Sequence, residues 1–284
     1  MSISSMIDDQ ARALLSILRT SGTIEVEIGS EKIEFNLENS HERLYAANIL
    51  GEIRYPQADI DKLIIQNFVK PNDLVVDAGA NIGFTALQFL EAGARKVHCF
   101  EPLTSLSDRI KKINSERLVI HNCGITEKIS TREMTISSLH NQGSTYSSEI
   151  ITLFPNVFGP KPEKTITLTA PLDYYFSDVD VNILKIDVEG SELEALIGAN
   201  TLISRRKLRT IFIECYNNLS QILEIAEQHF EHCYRAYINS ETYELFLTDP
   251  MSPPDVAVCK TSPTYIFSRD SKSIEAILKK QQKD

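Results

Sequence analysis

The stretch that decides the fold of this chain is Leu74-Val75-Val76-Asp77-Ala78-Gly79-Ala80-Asn81-Ile82-Gly83-Phe84-Thr85. An apolar, β-branched run ends in Asp77, and two glycines separate it from a helical pattern. Such runs are buried on both faces of a parallel sheet, and glycines let the backbone turn tightly where the strand ends. Ligands bind at that edge of open α/β sheets, so the stretch predicts a nucleotide-cofactor turn.

The order of acid and glycines separates this turn from a dinucleotide-binding fingerprint. That fingerprint is G-x-G-x-x-G with an acid about 20 residues further on, whereas here Asp77 precedes G-x-x-x-G. A second predicted strand, residues 96–100, is followed by Glu101, which is placed to accept hydrogen bonds from both hydroxyls of a ribose. A nicotinamide-dependent oxidoreductase stays open as an alternative, but Ala80 and Asn81 occupy the central positions where its glycine should be.

The composition is that of an ordinary globular protein. The chain has 284 residues, of which 42% are hydrophobic and 24% charged, and a net charge of −10. This acidity gives no electrostatic footprint for nucleic acid. Five cysteines without a C-x-x-C pair predict neither a zinc site nor a disulfide framework. The N-terminus lacks the basic segment followed by an apolar segment that is typical of a signal peptide, and no apolar run approaches the ~18 residues that a membrane span needs. We therefore expect a cytoplasmic protein.

From residue 74 onward strands and helices alternate, which predicts a doubly wound, mostly parallel α/β sheet. Seven strands are predicted near residues 74–77, 96–100, 118–122, 182–187, 210–215, 233–238 and 264–268. Helices are predicted near residues 57–69, 83–92, 104–114, 190–199 and 218–229. The last two strands lack a helical crossover, so we expect them to be antiparallel.

The sheet pattern divides the chain into a cap, a sheet domain and a helical tail, predicted at residues 1–55, 56–270 and 271–284. The cap should contain a helix over residues 7–20 and a two-stranded hairpin that turns at Gly29. Residues 128–170 interrupt the sheet domain with Ser, Thr, Asn and Pro. We predict an insertion of loops or a hairpin that serves as a substrate wall or lid, with disorder as the alternative.

A second group of ionisable residues surrounds the fourth predicted strand. Strand periodicity places Lys185, Asp187 and Glu189 on one side. The usual strand order brings Asp187 beside the glycine turn and Glu214, from the next strand, to the same edge. Buried carboxylates need partners, so this convergence implies an ammonium, substrate hydroxyls, Lys185 or a hard metal ion. Helix capping is the alternative for Asp187 and Glu189, and structural ion pairing is the alternative for Lys185.

These motifs together resemble the FkbM-type class I S-adenosylmethionine (SAM)-dependent methyltransferases over residues 50–270. The resemblance rests on residues 77–83, on Phe100-Glu101-Pro102 and on Lys185-Ile186-Asp187-Val188-Glu189-Gly190. It implies SAM as cofactor and O-methylation of a hydroxyl on a sugar, glycan or secondary metabolite. No Asn/Asp-Pro-Pro-Tyr element follows the fourth strand, which disfavours methylation of amino groups and bases. A catalytically inactive binding module with this fold is the remaining alternative.

The resemblance implies which residues bind the cofactor. They are Asp77, Gly79, Ala80, Asn81, Gly83 and Thr85 at the turn, Glu101 and Pro102 at the ribose, Asn122 and Cys123 near the adenine, and Asp187. Candidates for deprotonating or polarising the acceptor are Asp187, Glu189, Glu214, Lys185 and, as a weaker one, His140. Asp187 and Glu214 are also candidate ligands for a magnesium ion. The sequence leaves open whether the reaction uses one. The expected partners are a small-molecule or glycan acceptor and a second copy in a homo-oligomer, but no nucleic acid.

Overall fold

Eight strands form one mixed sheet in the structure, a computed structural model that describes residues 20–137 and 141–282. In chain order the strands are β1 (Thr23–Ile28), β2 (Glu31–Asn36), β3 (Leu74–Ala78), β4 (Lys96–Phe100), β5 (Leu118–His121), β6 (Gly124–Ile125), β7 (Ser130–Thr135), β8 (Lys164–Ala170), β9 (Ile183–Ile186), β10 (Thr210–Glu214), β11 (His232–Ile238), β12 (Leu245–Thr248) and β13 (Thr264–Ser268).

Helices connect most of these strands. They are α1 (Ser40–Ile49), α2 (Pro56–Phe68), α3 (Phe84–Glu91), α4 (Thr104–Lys112), α5 (Ser148–Leu153), α6 (Pro155–Phe158), α7 (Leu172–Tyr175), α8 (Glu192–Ile197), α9 (Asn200–Ser204), α10 (Leu219–Glu227) and α11 (Ser271–Gln281). The predicted helical tail corresponds to α11. Within the described ranges, none of these helices has both the length and the apolar character that crossing a membrane requires.

The order of strands in the large sheet is β12-β11-β13-β10-β9-β3-β4-β5. β10, β9, β3, β4 and β5 run parallel, whereas β13, β11 and β12 pair antiparallel. The predicted α/β class and the antiparallel end are confirmed, but the predicted number of seven strands is wrong. The additional strand, β12, is a short, mostly apolar run that returns along β11 after the loop of residues 239–244.

The central strands are buried on both faces because helices cover the sheet from both sides. Every residue of β3 is buried, including Asp77. One core contains Phe89 and Phe212, whose rings lie 5.7 Å apart, and the other contains Phe100 and Phe176 on the opposite face. Because the side faces are closed, ligands can reach the sheet at the ends of its strands.

The N-terminal cap contains the predicted hairpin, formed by β1 and β2 with a turn at Gly29. Helix α1 follows it, and the side chain of Asn39 caps this helix by accepting hydrogen bonds from two backbone N–H groups. The helix predicted over residues 7–20 lies outside the described residues apart from Thr20. Phe84 of α3 contacts the cap through Phe35 and Tyr45, at ring centroid distances of 6.0 and 4.8 Å. The boundary at residue 55 stays a prediction.

The insertion has regular structure in its described part. β7 and β8 form an antiparallel pair, β6 joins β8 in parallel, and the short helices α5 and α6 lie between β7 and β8. The antiparallel pair agrees with the predicted hairpin, and the role of the insertion as a substrate wall or lid stays a prediction. The insertion leaves the large sheet after β5, so it lies near the ends of the parallel strands.

Candidate functional site

A cavity of about 840 Å³ opens where the parallel strands end. Its wall is built from the glycine turn, the ends of β9 and β10, the cap, the insertion and the loop before β13. The volume is in the range of sites that enclose a small-molecule ligand. The cavity therefore lies where the sequence predicts a cofactor, and it extends to the two segments that flank the sheet.

The glycine turn brings the ends of β3, β4 and β9 close together. Gly79 has φ of 87°, and a Cβ atom at this position would lie 1.7 Å from the carbonyl oxygen of Asp187. The N–H groups of Gly79 and Ala80 both donate to the carbonyl oxygen of Phe100 at 3.0 Å. Only glycine permits this backbone conformation together with such close contact. The second glycine, Gly83, has φ of 89° and caps α3.

Glu101 lies on the cavity wall immediately after β4 and is 6% exposed. Its Oε2 accepts a hydrogen bond from the backbone N–H of Asn81 at 3.0 Å, and its Oε1 accepts one from the N–H of Leu103 at 2.9 Å. Burial raises the pKa of Glu101 to about 8, although both N–H donors lower it. Each carboxylate oxygen has a second lone pair, so the group can accept two further hydrogen bonds from a ligand.

Lys185 is the cation at the centre of a buried group of carboxylates. It is 4% exposed, and its Nζ lies 3.0 Å from Asp187 Oδ2 and 3.8 Å from Asp77 Oδ1. Burial alone lowers the pKa of Lys185, but the surrounding carboxylates outweigh it and hold the pKa well above its usual range. Lys185 is therefore an ammonium in the folded protein, which favours the structural role over that of a base.

Asp77 is fully buried behind the cavity wall, and neither of its carboxylate oxygens has a hydrogen-bond partner among the described residues. Burial raises its pKa to about 6, whereas the nearby ammonium of Lys185 lowers it. The backbone N–H of Asp187 donates to the carbonyl oxygen of Ala78 at 2.9 Å. As the strand order predicts, Asp187 thus lies beside the glycine turn, and its side chain forms part of the wall.

Glu189 and Glu214 face the same cavity from the ends of β9 and β10. Burial raises the pKa of Glu189 well above its usual range, and the charges of Asp187 and Glu214 raise it further. Burial and the charge of Asp187 likewise raise the pKa of Glu214. A carboxylate whose pKa is raised is a stronger base than an ordinary carboxylate, which is the property that a general base needs.

Two residues of α2 belong to this acidic end and were not found from the sequence. Asp61 lines the cavity, and burial raises its pKa to about 6. Gln57 donates from Nε2 to Glu214 Oε2 at 3.3 Å and accepts from the N–H of Ser262 at 2.7 Å. No local sequence signal marks either residue, because the polar positions of an amphipathic helix ordinarily face solvent.

The remaining predicted residues divide between the wall and its support. Ala80, Asn81, Thr85 and Pro102 are on the wall. Asn122 lies behind it and donates from Nδ2 to the carbonyl oxygens of Glu101 and Pro102, both at 2.9 Å, and the buried Cys123 is beside it. At this place the wall is formed by Gly124, Ile125 and Tyr146 instead. His140 lies outside the described residues.

Tyr146 is a site residue that the insertion contributes. A Cβ atom at Gly124 would lie 2.4 Å from its hydroxyl oxygen, so the ring fits closely over this glycine. The hydroxyl is 2.5 Å from Thr167 Oγ1, and the guanidinium of Arg132 lies 5.0 Å from the ring centroid. These contacts hold an aromatic face at the end of the cavity near Glu101.

The geometry gives no support to the suggested magnesium site. In residues 20–137 and 141–282, no group of three or more His, Cys, Asp and Glu side chains is arranged to hold a metal ion. Of the two suggested ligands, Asp187 is paired with Lys185, and Glu214 accepts a hydrogen bond from Gln57. Both suggested ligands thus have partners within the protein.

The fold is that of a methyltransferase. The family model for the methyltransferase FkbM domain matches residues 77–244, which is more than half of the chain. The chain belongs to the FkbM methyltransferase family. A comparison with curated proteins finds no match.

Among solved structures, the chain is similar to a methyltransferase FkbM from Methylobacillus flagellatus, with 16% identity and a TM-score of 0.47 over 80% of this chain and 52% of that one. The chain thus spans about half the length of that methyltransferase. An rRNA methylase from Streptococcus thermophilus is 12% identical, with a TM-score of 0.38 over 76% of this chain and 97% of that one.

Proposed function

We propose that the protein is a SAM-dependent O-methyltransferase whose acceptor is a hydroxyl group of a sugar, a glycan or a secondary metabolite. The observation that carries the proposal is the position of Glu101, a buried carboxylate on the cavity wall beside the glycine turn, with room for two more hydrogen bonds. Membership of the FkbM family supports methyl transfer as the reaction.

The residues present fit this cofactor. The free lone pairs of Glu101 suit two ribose hydroxyls, and Tyr146 with Ile125 offers an apolar wall for the adenine. The opposite end carries Asp187 and further carboxyl groups, which complement a sulfonium and an ammonium group. When bound, SAM supplies an activated methyl group that an acceptor oxygen attacks in line. The protein's task is then to orient that oxygen and to remove its proton.

We assign the proton transfer to the carboxylate pair Glu189 and Glu214. The charge of Glu214 raises the pKa of Glu189, and a carboxylate with a raised pKa is a stronger base toward the proton of a hydroxyl group. Gln57 orients Glu214. We assign Lys185 a positioning role, because its Nζ is paired with Asp187 Oδ2 at a distance of 3.0 Å and its raised pKa makes it a poor proton acceptor.

We propose the class of acceptor from the chemistry of the side chains that line the cavity. Carboxylates and amides bind hydroxyl groups, and Tyr45, Tyr55 and Tyr216 supply aromatic faces against which a sugar ring can stack. A net charge of −10 disfavours a nucleic-acid acceptor. The cap and the insertion, which line this end together, are proposed to determine which acceptor enters.

Calorimetric titration with S-adenosylhomocysteine (SAH), the product form of the cofactor, tests the proposal. We expect micromolar binding that Glu101→Ala weakens by about 1–3 kcal/mol, the loss of hydrogen bonds to a charged group. Asp173→Ala is the matched control, because Asp173 also accepts two backbone N–H groups, those of Thr201 and Leu202 at 2.8 Å, but lies off the cavity wall. Added magnesium or a chelator should leave the affinity unchanged.

Failure of the wild-type protein to bind SAH would refute the cofactor assignment and favour an inactive module. If Glu101→Ala and Asp173→Ala weaken SAH binding equally, Glu101 affects only the stability of the fold. If SAH binds as expected, incubation with SAM and a panel of neutral sugars, polyols and amines tests the O-methyl assignment. Methylation of amines alone would contradict it.

A further inference from the structure

Asn141, in the insertion, is hydrogen-bonded both to the N-terminal cap and to the glycine turn. Its Nδ2 donates to Asn81 Oδ1 and to Glu42 Oε1, both at 3.0 Å. Its Oδ1 accepts from Asn39 Nδ2 at 2.8 Å. One side chain thus joins three segments that are far apart in the sequence.

The two residues to which Asn141 donates, Glu42 and Asn81, are themselves held in place. Glu42 is 3% exposed, and Arg109 donates to both of its carboxylate oxygens at 2.7 Å. Asn81 has φ of 51°, and its backbone N–H is the group that donates to Glu101 Oε2. Asn141 therefore connects a buried ion pair to the residue that orients the proposed ribose carboxylate.

These contacts close a ring. Arg109 belongs to α4, which begins at Thr104, shortly after Glu101. The ring runs through Glu101, Asn81, Asn141, Glu42 and Arg109 and returns to Glu101 along α4. Of these residues, Glu42, Asn81, Glu101 and Asn141 line the cavity. The ring thus lies at the edge of the cavity where the cofactor is proposed to bind.

We propose that Asn141 is a positioning residue for cofactor binding, which acts on Glu101 through Asn81 and so makes the affinity for the cofactor depend on the docking of the cap and the insertion. The inference rests on the proposed function, because Glu101 is taken as the ribose-binding group. The cap and the insertion are then parts of the cofactor site as well as walls of the acceptor site.

The physical reason is preorganisation. A carboxylate that must accept two ribose hydroxyls binds most tightly when its oxygens are already aimed at them. Asn81 supplies one of the two N–H groups that fix this direction. Without the Asn141 side chain, the side chain of Asn81 loses its hydrogen-bond donor, and the cap loses the hydrogen-bonded link to the glycine turn that runs through Asn141. Cofactor binding must then also order these side chains, which lowers the affinity.

The test is calorimetric titration with SAH of the full chain and five variants. We expect Asn141→Ala to weaken binding about fivefold to thirtyfold, the effect of one or two hydrogen bonds. Asn81→Gly, which suits the positive φ, should have a similar effect, and the double variant should be no weaker than the weaker single variant. Asn217→Asp is the control for Asn141→Asp, because Asn217 also donates to a glutamate, Glu149, at 2.8 Å, but on the surface.

Asn141→Asp places a carboxylate beside the buried Glu42 and should weaken binding at least as much as Asn141→Ala, whereas Asn217→Asp should change it less than about twofold. The pH dependence supplies a readout that a purely structural role would not move. Its midpoint, set by Glu101, should shift upward in Asn141→Ala, because a looser Asn81 N–H no longer lowers the pKa of Glu101. Asp77 and Asp187, the charges that act on Glu101, are unchanged in these variants.

The outcomes separate the two proposals. If the wild-type protein does not bind SAH, the proposed function fails. If it binds SAH and Asn141→Ala binds equally well, only this inference fails. Additive losses in the Asn81→Gly, Asn141→Ala double variant would show that Asn141 contacts the cofactor directly and would refute its action through Asn81. A thermal melt of each variant confirms that the fold is retained.

Discussion

Replacing Lys185 by methionine removes the cation that neutralises the buried carboxylates of the site. Lys185 is 4% exposed and Asp77 is fully buried, and the Nζ atom lies 3.0 Å from Asp187 and 3.8 Å from Asp77. Methionine has a similar length and fills the same space. The variant therefore isolates the effect of the charge from that of packing.

The magnitude follows from the two distances. At an effective dielectric constant of ~20, attractions across 3.0 and 3.8 Å amount to ~5.5 and ~4.4 kcal/mol. Desolvation of the ammonium offsets part of this, and the 28% exposure of the Asp187 side chain reduces the first value. Removal of one partner from a buried ion pair typically costs about 3–5 kcal/mol. We expect a loss of this size in the free energy of unfolding at pH 8.

The loss should depend on pH in a defined direction. Asp77 and Asp61 have pKa values of about 6 in the presence of Lys185, and these values rise further when its charge is removed. At pH 5 both acids are largely neutral in either protein, so little uncompensated charge remains. Since each shifted pKa unit corresponds to ~1.4 kcal/mol, the loss at pH 5 should be smaller than at pH 8 by at least about 2 kcal/mol.

Urea unfolding followed by circular dichroism measures both values, since the chain has no tryptophan. Lys164→Met is the matched control. Lys164 lies 2.6 Å from Glu133, but both side chains are about half exposed, so the expected loss is below ~1 kcal/mol at either pH. A loss for Lys185→Met that is equal at pH 5 and pH 8, or no larger than that of the control, would refute the electrostatic account of the site.

Further measurements test the glycine turn, the proposed ribose carboxylate and the proposed base. Glu101, with its pKa of about 8, should release a proton when it accepts ribose hydroxyls, so SAH affinity should rise up to about tenfold per pH unit from pH 6 and level off near pH 8; a flat calorimetric profile contradicts this. Gly79→Ala, whose Cβ would lie 1.7 Å from a carbonyl oxygen, should cost more than about 4 kcal/mol in a urea melt. Gly51→Ala is the control, because Gly51 has φ of 74° but no atom within 4 Å of the new Cβ. It should cost about 1–2 kcal/mol. Similar losses for Gly79→Ala and Gly51→Ala would rule out the close contact at Gly79. Glu189→Gln should retain SAH binding and lower methyl transfer about 10²–10⁴-fold. Glu214→Gln should shift the acid limb of the activity profile to lower pH, because a charge that raises the pKa of Glu189 is removed; an unchanged limb would exclude Glu189 as the titrating base.

The parallel half of the sheet was predictable because its strands are short apolar runs, most of which end at or beside an acid. Strand β12 was not, since Leu245–Thr248 is only four residues long and a loop of residues 239–244, without a short turn signal, joins it to β11. Helix α1 was missed for a tertiary reason. Glu42 faces inward on this helix, where the sequence pattern calls for an apolar residue, and it is satisfied by Arg109 from α4.

The convergence of Glu101, Asp187 and Glu214 at one edge could be derived from topology alone, because parallel strands end on the same side. The contributions of the flanking segments could not. Asp61 occupies an ordinary polar position of a helix, and only the packing of α2 on the sheet turns it toward the cavity. The bond between Asn141 and Asn81 depends on the path of the insertion, which local patterns do not determine.

A crystal structure of the protein with SAH would show whether Glu101 binds the ribose. We expect both ribose hydroxyls within hydrogen-bond distance of the Glu101 carboxylate, the adenine between Ile125 and Tyr146, and the sulfur atom facing Glu189. SAH bound away from Glu101, or ribose hydroxyls held by other groups while Glu101 keeps only its two backbone donors, would contradict this expectation.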